Sequence, residues 1–284
     1  MSEIHPAENV YVTGEIGINH NGDIQNARKL IDVAAVAGAD AVKFQKRNPE
    51  KCVPPDQRDI RRQTPWGEMT YIEYRHRIEF GKEEYDAIDV YCKERGIDWY
   101  ASPWDMDSLE FLVPYKTKHW KVASAMLTHH EMLDAMAQTG AHTFVGTGMS
   151  SLEEVDKAVE IFKARGAAYT LMHTVSTYPA KNEELNLNCI SFLRERYKCP
   201  VGYSGHEFGL LPTVLAVVLG AVAVERHITL NRTMIGSDHL ASVEPVGLMK
   251  LVAQIKTART VMGDGVKRVY DSELPVRAKL RSHK

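Results

Sequence analysis

The sequence predicts an α/β protein built as a single-domain (β/α)8 barrel of the TIM type, and three observations support this. Short apolar or β-branched segments alternate along the chain with longer amphipathic segments, as in repeated β-α units. Eight strand candidates and eight helix candidates follow one another in strict order. The length of 284 residues suits one large barrel, and 44% hydrophobic residues can form its core without disulfides.

The elements can be placed by their periodicity. Strands are predicted at 10–16, 41–44, 99–101, 120–122, 143–145, 169–172, 201–203 and 221–225. Helices are predicted at 25–38, 82–95, 106–113, 130–139, 151–165, 186–196, 209–219 and 246–262. Glycines 38, 96, 140 and 166 close helices just before the next strand. A doubly wound open sheet is the competing fold, but the first strand lacks the Gly-rich turn typical of it.

Composition restricts the possible partners and the cellular compartment. The formal net charge of −2 leaves no basic face for nucleic acid or for an anionic membrane. The four cysteines are scattered without a C-x-x-C pair, which favours a reducing environment over a disulfide framework or structural zinc. The first residues show no signal-peptide pattern, and no apolar run is long enough to span a membrane. We therefore expect a cytoplasmic protein.

Two segments depart from the regular alternation. Residues 46–81, between the second strand and the second helix, are predicted to form a long loop rich in proline and aromatic residues. A loop after a barrel strand lies on the catalytic face, so this one is interpreted as a wall or lid of the active site. The alternative is an insertion that has no role in the active site. Residues 264–284 are interpreted as a C-terminal tail, and the whole of 1–284 as one barrel domain.

Polar side chains follow every predicted strand at its carboxyl end, where the active sites of (β/α)8 barrels lie. Lys43 and Lys121, with nearby serines and glycines, are suited to holding a phosphate and a carboxylate. A Schiff-base lysine is the alternative reading of either one. His206 and His227 end neighbouring strands beside Glu225 and form a candidate divalent-metal pair. Asp238 is a candidate base or sugar ligand, or a plain turn residue.

Taken together, the motifs resemble the sialic acid synthase (NeuB) family over nearly the whole chain. They are EIGINHNG at 15–22, GADAVKFQ at 38–45, KVAS at 121–124, TGMS at 147–150, STYP at 176–179, GYSGHE at 202–207, ERHITL at 225–230 and GSDHLASVEP at 236–245. The combination is highly specific, although no single motif is.

The resemblance implies a metal-dependent condensation of phosphoenolpyruvate with a sugar aldehyde, such as N-acetylmannosamine or a related hexosamine or hexose. The product would be a sialic-acid-like 2-keto-3-deoxy sugar acid plus phosphate. By resemblance, Mn2+ is the expected ion, with Mg2+ or Co2+ as alternatives, and His206 and His227 are its ligands. The expected phosphoenolpyruvate-binding residues are Lys43, Ser102, Lys121, Ser124, Ser176 and Ser204. The expected sugar-binding residues are Glu15, Gln45, Tyr178 and Asp238, and the expected catalytic residues are Glu15, Lys43, Lys121 and Asp238.

Two features depart from the family pattern. Many members have an acid two residues after the serine of the strand-four motif, where this chain has Met126. The final segment resembles the family's linker to a C-terminal antifreeze-like (SAF) domain, which the sequence does not contain. The resemblance implies a homodimer. The alternatives kept open are a related synthase for a different or phosphorylated aldose, and a non-catalytic barrel that binds sugar phosphates.

Overall fold

A computed structural model describes residues 10–281, except for the side chain of Arg259. Its strands are Tyr11–Gly17 (β1), Ala41–Lys46 (β2), Arg61–Thr64 (β3), Gly67–Thr70 (β4), Asp98–Pro103 (β5), His119–Val122 (β6), His142–Gly146 (β7), Tyr169–Thr174 (β8), Val201–Gly205 (β9) and Ala223–His227 (β10). Eight of them form one parallel sheet in the order β5-β2-β1-β10-β9-β8-β7-β6. The end strands β5 and β6 lie next to each other, so the barrel is nearly closed and the predicted fold class is confirmed.

The helices cover the outside of this sheet. They are Ile24–Ala37 (α1), Pro49–Cys52 (α2), Tyr71–Ile78 (α3), Lys82–Arg95 (α4), Met106–Leu112 (α5), His130–Gln138 (α6), Leu152–Arg165 (α7), Cys189–Tyr197 (α8), Leu211–Val218 (α9), Pro245–Met262 (α10) and Leu274–Leu280 (α11). Their ends follow local signals. Ser151 and Glu154 form a capping box at the start of α7, and Gly166 ends that helix in the left-handed conformation with φ of 61°.

The inside of the barrel is divided into an apolar floor and a polar upper layer. Tyr11, Tyr100, Phe144 and Met172 pack together near the amino ends of the strands. In a strand, every second side chain points to the same face. Ser102, two positions after Tyr100 in β5, therefore also points into the barrel and lies closer to the carboxyl end of the strand. The floor closes the barrel, so the polar layer opens only towards the carboxyl ends of the strands.

The segment 46–81, predicted as a loop, contains the short helix α2, the β3–β4 hairpin and helix α3. Thr70 and Glu73 form a capping box that starts α3, a signal that was readable as T-x-x-E in the sequence. Tyr74 and Ile78 of α3 cluster with Ile18, which follows β1. These contacts fix the segment above the carboxyl ends of the first two strands.

Two observations concern the rest of the described chain. Within residues 10–281, no helix has both the length and the apolar character that crossing a membrane requires. Residues 263–281, including α11, are exposed to solvent.

Candidate active site

Four charged side chains form a layer inside the barrel, above the aromatic floor. Lys43 Nζ lies 2.9 Å from Glu15 Oε2 and 3.6 Å from Glu225 Oε1. Lys121 Nζ donates to both carboxylate oxygens of Glu225, at 2.9 and 3.1 Å. All four side chains are buried, none of the residues being more than 5% exposed. With two cations and two anions, the layer carries no net formal charge.

The lysines differ in their electrostatic surroundings. Burial would lower the pKa of Lys43, but the neighbouring Glu15 and Glu225 carboxylates outweigh it and raise that pKa. Burial lowers the pKa of Lys121, and the positive charge of Lys43 adds to this effect. Burial opposes ionisation of Glu225, yet Lys121 and Lys43 bring its pKa down to about 2. Glu225 is therefore a carboxylate shared between the two lysines at neutral pH.

The predicted phosphoenolpyruvate-binding serines surround this layer. Ser102 Oγ accepts a hydrogen bond of 3.0 Å from Lys43, and Ser204 Oγ lies 3.4 Å from Glu225 Oε1. Ser124 Oγ accepts a hydrogen bond of 3.0 Å from the backbone N–H of Gly148. A Cβ atom added to Gly148 would lie 2.3 Å from Ser176 Oγ, so only glycine lets Ser124 and Ser176 approach this loop so closely.

Of the four residues predicted to face the sugar, Glu15 belongs to the charged layer itself, and Gln45, Tyr178 and Asp238 lie above it. Gln45 Nε2 donates a 2.8 Å hydrogen bond to Glu15 Oε1. The ring of Tyr178 lies over that of His206, with centroids 4.1 Å apart. Asp238 Oδ2 lies 3.8 Å from His227 Nδ1. Burial raises the pKa of Asp238, but the net shift is downwards because of His227, a hydrogen bond from Ser237, and the more distant Arg47 and Arg75.

His206 and His227 are neighbours at the mouth of the barrel, with ring centroids 5.5 Å apart. His206 Nδ1 lies 2.7 Å from the carbonyl oxygen of Val175, which requires the proton on Nδ1 and leaves Nε2 as an acceptor. Burial, reinforced by His227, lowers the pKa of His206 to about 3, so the ring is neutral. His227 Nδ1 is buried without a hydrogen-bond partner. Within residues 10–281, no group of three or more His, Cys, Asp or Glu side chains is arranged as a preformed metal site.

One pocket of about 160 Å³ joins most of the predicted site. Its lining includes Glu15, Lys43, Gln45, Lys121, Ser124, Ser176, Tyr178, Ser204, His206 and His227. Ser102 lies just behind this lining and contacts it through Lys43. Asp238 also lies outside the lining and approaches it through His227.

The pocket also contains residues that the sequence analysis did not assign to the site. Glu225, Trp104 and Thr174 all line it. Two of these residues could have been identified in the sequence, because side chains two positions apart in a strand point to the same face. Glu225 precedes His227 by two positions and Trp104 follows Ser102 by two, so each shares a face with a predicted site residue.

Met126, where the sequence was expected to depart from the family pattern, does not line this pocket. It follows Ser124 in a short 3-10 turn and lines a neighbouring cavity of about 550 Å³ with Trp104 and His129. Trp104 lines both cavities.

Comparison with known proteins gives a consistent result. The NeuB family model matches residues 30–267. The N,N'-diacetyllegionaminic acid synthase of Legionella pneumophila is 33% identical over 278 residues, covering 95% of this chain and 78% of that protein. The N-acetylneuraminate-9-phosphate synthase of Homo sapiens is 34% identical over 282 residues, covering 97% of this chain and 77% of that protein.

A solved structure agrees with the sequence comparison. The N-acetylneuraminic acid (sialic acid) synthetase of Leptospira borgpetersenii superposes with a TM-score of 0.85 at 32% identity, covering 98% of this chain and 94% of that one. The predicted family is therefore confirmed: the chain belongs to the NeuB family and is an enzyme of the sialic acid synthase type.

Proposed function

We propose that the protein condenses phosphoenolpyruvate with the open-chain aldehyde of a sugar, giving a 2-keto-3-deoxy sugar acid and phosphate. The observation that carries this proposal is the position of Lys43 and Lys121 in one pocket with two adjacent imidazoles. The lysines suit an anionic donor, and the imidazoles suit the carbonyl of an acceptor. Membership of the NeuB family supports the same reaction.

The donor would bind in the charged layer. Its phosphate and carboxylate would take Lys43 and Lys121 as partners in place of Glu15 and Glu225, since both lysines now pair with those carboxylates. The hydroxyls of Ser102, Ser124, Ser176 and Ser204 surround this position and would donate to the remaining oxygens. The pocket volume of about 160 Å³ suits one small molecule, so we place the acceptor above it, towards the solvent.

A divalent ion fits the two histidines. His206 Nε2 is left as an acceptor by the hydrogen bond at Nδ1, and Nδ1 of His227 is buried without a hydrogen-bond partner. In metal sites, a histidine that binds the metal through one ring nitrogen usually donates a hydrogen bond from its other ring nitrogen to a carbonyl or carboxylate. We propose Mn2+, with Mg2+ or Co2+ as alternatives, held by His206 and His227 with its other positions left to substrate oxygens and water. Such an ion supplies Lewis-acid polarisation of the aldehyde when bound.

The chain's own residues account for the remaining needs of the reaction. C3 of phosphoenolpyruvate forms a bond to the aldehyde carbon, water adds to C2, and phosphate leaves with cleavage of its bond to C2. Lys43 and Lys121 would stabilise the negative charge of the departing phosphate. Glu15, which accepts a hydrogen bond from Gln45, and Asp238, which lies beside His227, would be the carboxylates that move protons.

For the acceptor we propose N-acetylmannosamine or a related hexosamine or hexose, which would make the product a sialic-acid-like acid. Tyr178 and Gln45 line the pocket, and the sugar would lie above them, towards the solvent. Segment 46–81 covers the neighbouring strand ends, and we propose it as a wall of the acceptor site. We also propose that the protein acts as a homodimer in the cytoplasm, as the family resemblance implies.

The test is release of inorganic phosphate from phosphoenolpyruvate with Mn2+ and a panel of aldoses. We expect release only when both an aldose and the ion are present. Release that is unaffected by a chelator would contradict the metal assignment. No release with any acceptor would instead support a non-catalytic barrel that binds sugar phosphates.

A further inference from the structure

The side chain of Arg47 is a buried cation to which the described part of the chain offers no hydrogen-bond acceptor. The residue is 7% exposed, and its NH1 is buried without any acceptor among the described residues. Its guanidinium stacks on Trp104, with Cζ 3.9 Å from the ring centroid. A buried charge without hydrogen bonds is costly for a fold to maintain. Such a group is therefore a candidate for binding an anion.

Arg75 of α3 is the second member of this cluster. Its NH1 is also buried and unpartnered, while Nε and NH2 both donate to the hydroxyl of Tyr71, at 3.0 and 2.9 Å. Burial lowers the pKa of the Arg47 guanidinium, and the positive charge of Arg75 lowers it further. Glu79, an acid near Arg47, already accepts from Lys46 and from the backbone N–H of Arg47. Glu79 and Asp238 both favour the charge of Arg47, but among the described residues neither accepts a hydrogen bond from the buried NH1 of either arginine.

The cluster lies in line with the proposed reaction site. Lys43, Gln45 and Arg47 occupy alternate positions at and just beyond the end of β2, so the same face rises from the charged layer to the mouth. At about 3.3 Å per residue, Arg47 lies roughly 13 Å above Lys43 along the strand direction. Asp238 lies next to His227. The positive charges of Arg47 and Arg75 also contribute to the lowered pKa of Asp238, after His227 and the hydrogen bond from Ser237. Asp238 therefore connects the histidine pair, which shares the pocket of the lysines, with the two arginines.

We propose that Arg47 and Arg75 bind an anionic group at the end of the acceptor sugar that lies away from its aldehyde, a phosphate ester at the terminal carbon. This inference rests on the proposed function for the direction in which the acceptor lies. Sequence similarity alone does not decide whether the acceptor is phosphorylated, because the relatives include both a 9-phosphate synthase and a legionaminic acid synthase at nearly equal identity. A phosphate dianion offers two guanidinium groups the acceptor oxygens that they lack.

The test compares N-acetylmannosamine with its 6-phosphate ester, using the full-length protein loaded with Mn2+. Binding is measured by calorimetry and turnover by phosphate release from phosphoenolpyruvate. For the wild-type protein we expect the phosphate ester to bind more tightly and to give the higher kcat/KM. Arg47→Met and Arg75→Met should each weaken binding of the ester by about ten- to a hundredfold, the loss expected for one charged hydrogen bond. Neither should alter the affinity for the unphosphorylated sugar or for phosphoenolpyruvate by more than about threefold.

Arg61→Met is the matched control, because Arg61 is an exposed arginine of the same segment whose Nε lies 3.4 Å from Glu68. It should leave the affinity for both sugars unchanged. Equal binding of the two sugars by the wild-type protein, or an equal effect of Arg75→Met on both, would overturn the inference. Tighter binding of the ester that depends on the arginines, without phosphate release from any acceptor, would uphold the anion site and refute the proposed reaction. If Arg47→Met does not fold, Arg75→Met alone still tests whether the arginines bind the phosphate ester.

Discussion

Lys121 and Glu225 form a two-point ion pair in the interior of the barrel, with both carboxylate oxygens within 3.1 Å of Nζ. We expect Glu225→Gln to lower the free energy of unfolding by about 3 kcal/mol, because a buried lysine loses its counter-ion. Phosphoenolpyruvate should restore part of this loss. The measurement is Tm with and without the donor. An equal increase of Tm in the variant and the wild-type protein would show that the donor does not contact Lys121.

His206→Ala should abolish turnover and weaken Mn2+ binding by at least tenfold, because it removes one of two proposed ligands. The metal affinity is measured directly by calorimetry, and far-ultraviolet circular dichroism checks the fold. His76→Ala is the control, since His76 is exposed and pairs with Glu50. Unchanged Mn2+ affinity in His206→Ala would rule out the proposed metal pair.

Ser102→Ala removes the hydroxyl that accepts the 3.0 Å hydrogen bond from Lys43. A hydrogen bond to a charged group contributes about 1.5–3 kcal/mol. We therefore expect the KM for phosphoenolpyruvate to rise about tenfold or more, with little change in the KM for the acceptor. Steady-state kinetics with each substrate varied in turn measure both constants. A rise confined to the KM for the acceptor would contradict the assignment of Ser102 to the phosphoenolpyruvate site.

Two histidines that pack against the floor of the barrel, His119 against Tyr11 and His142 against Phe144, predict sensitivity to acid. Burial lowers the pKa of both His119 and His142 to about 4, from an ordinary value of 6.5. Between these values the unfolded chain binds protons that the folded protein excludes, so the free energy of unfolding falls as the pH is lowered through this range. His142→Gln should make that decline shallower, as measured by denaturant unfolding at a series of pH values.

His76→Gln is again the control, because it changes an exposed histidine that lies outside the floor. It should leave the pH dependence unaltered. An identical slope in His142→Gln and the wild-type protein would mean that the buried histidine does not contribute to the acid sensitivity.

The barrel was predictable because each of its units repeats the same local signals. Helix α4 begins at Lys82 and ends at Arg95, as predicted, and Gly96 adopts φ of 65° after it. The last strand was less well placed, because it runs from Ala223 to His227 and not from 221 to 225. Apolar character continues through residues 221–224, so hydrophobicity alone does not mark the point at which pairing with β1 begins.

The candidate site was predictable as a set of residue types, but its internal pairing was not. Lys43 and Glu225 are 182 positions apart, and only closure of the barrel brings their side chains within 3.6 Å. Arg47 was not identified, because nothing in the local pattern distinguishes a buried arginine from a solvated one. The resemblance to a known family supplied roles for individual residues. The structure adds which of those residues are neighbours.

The balance of charge in the layer of Lys43, Lys121, Glu15 and Glu225 also bears on how quickly a ligand arrives. Because the layer has no net charge and lies beneath the mouth, it projects little field into the solvent. The layer itself therefore contributes little to the long-range attraction of an anion, and any dependence of the rate of donor association on ionic strength should come from Arg47 and Arg75 above it. Within the layer, selectivity should arise after entry, when each lysine exchanges an internal carboxylate for the phosphate or the carboxylate of the donor.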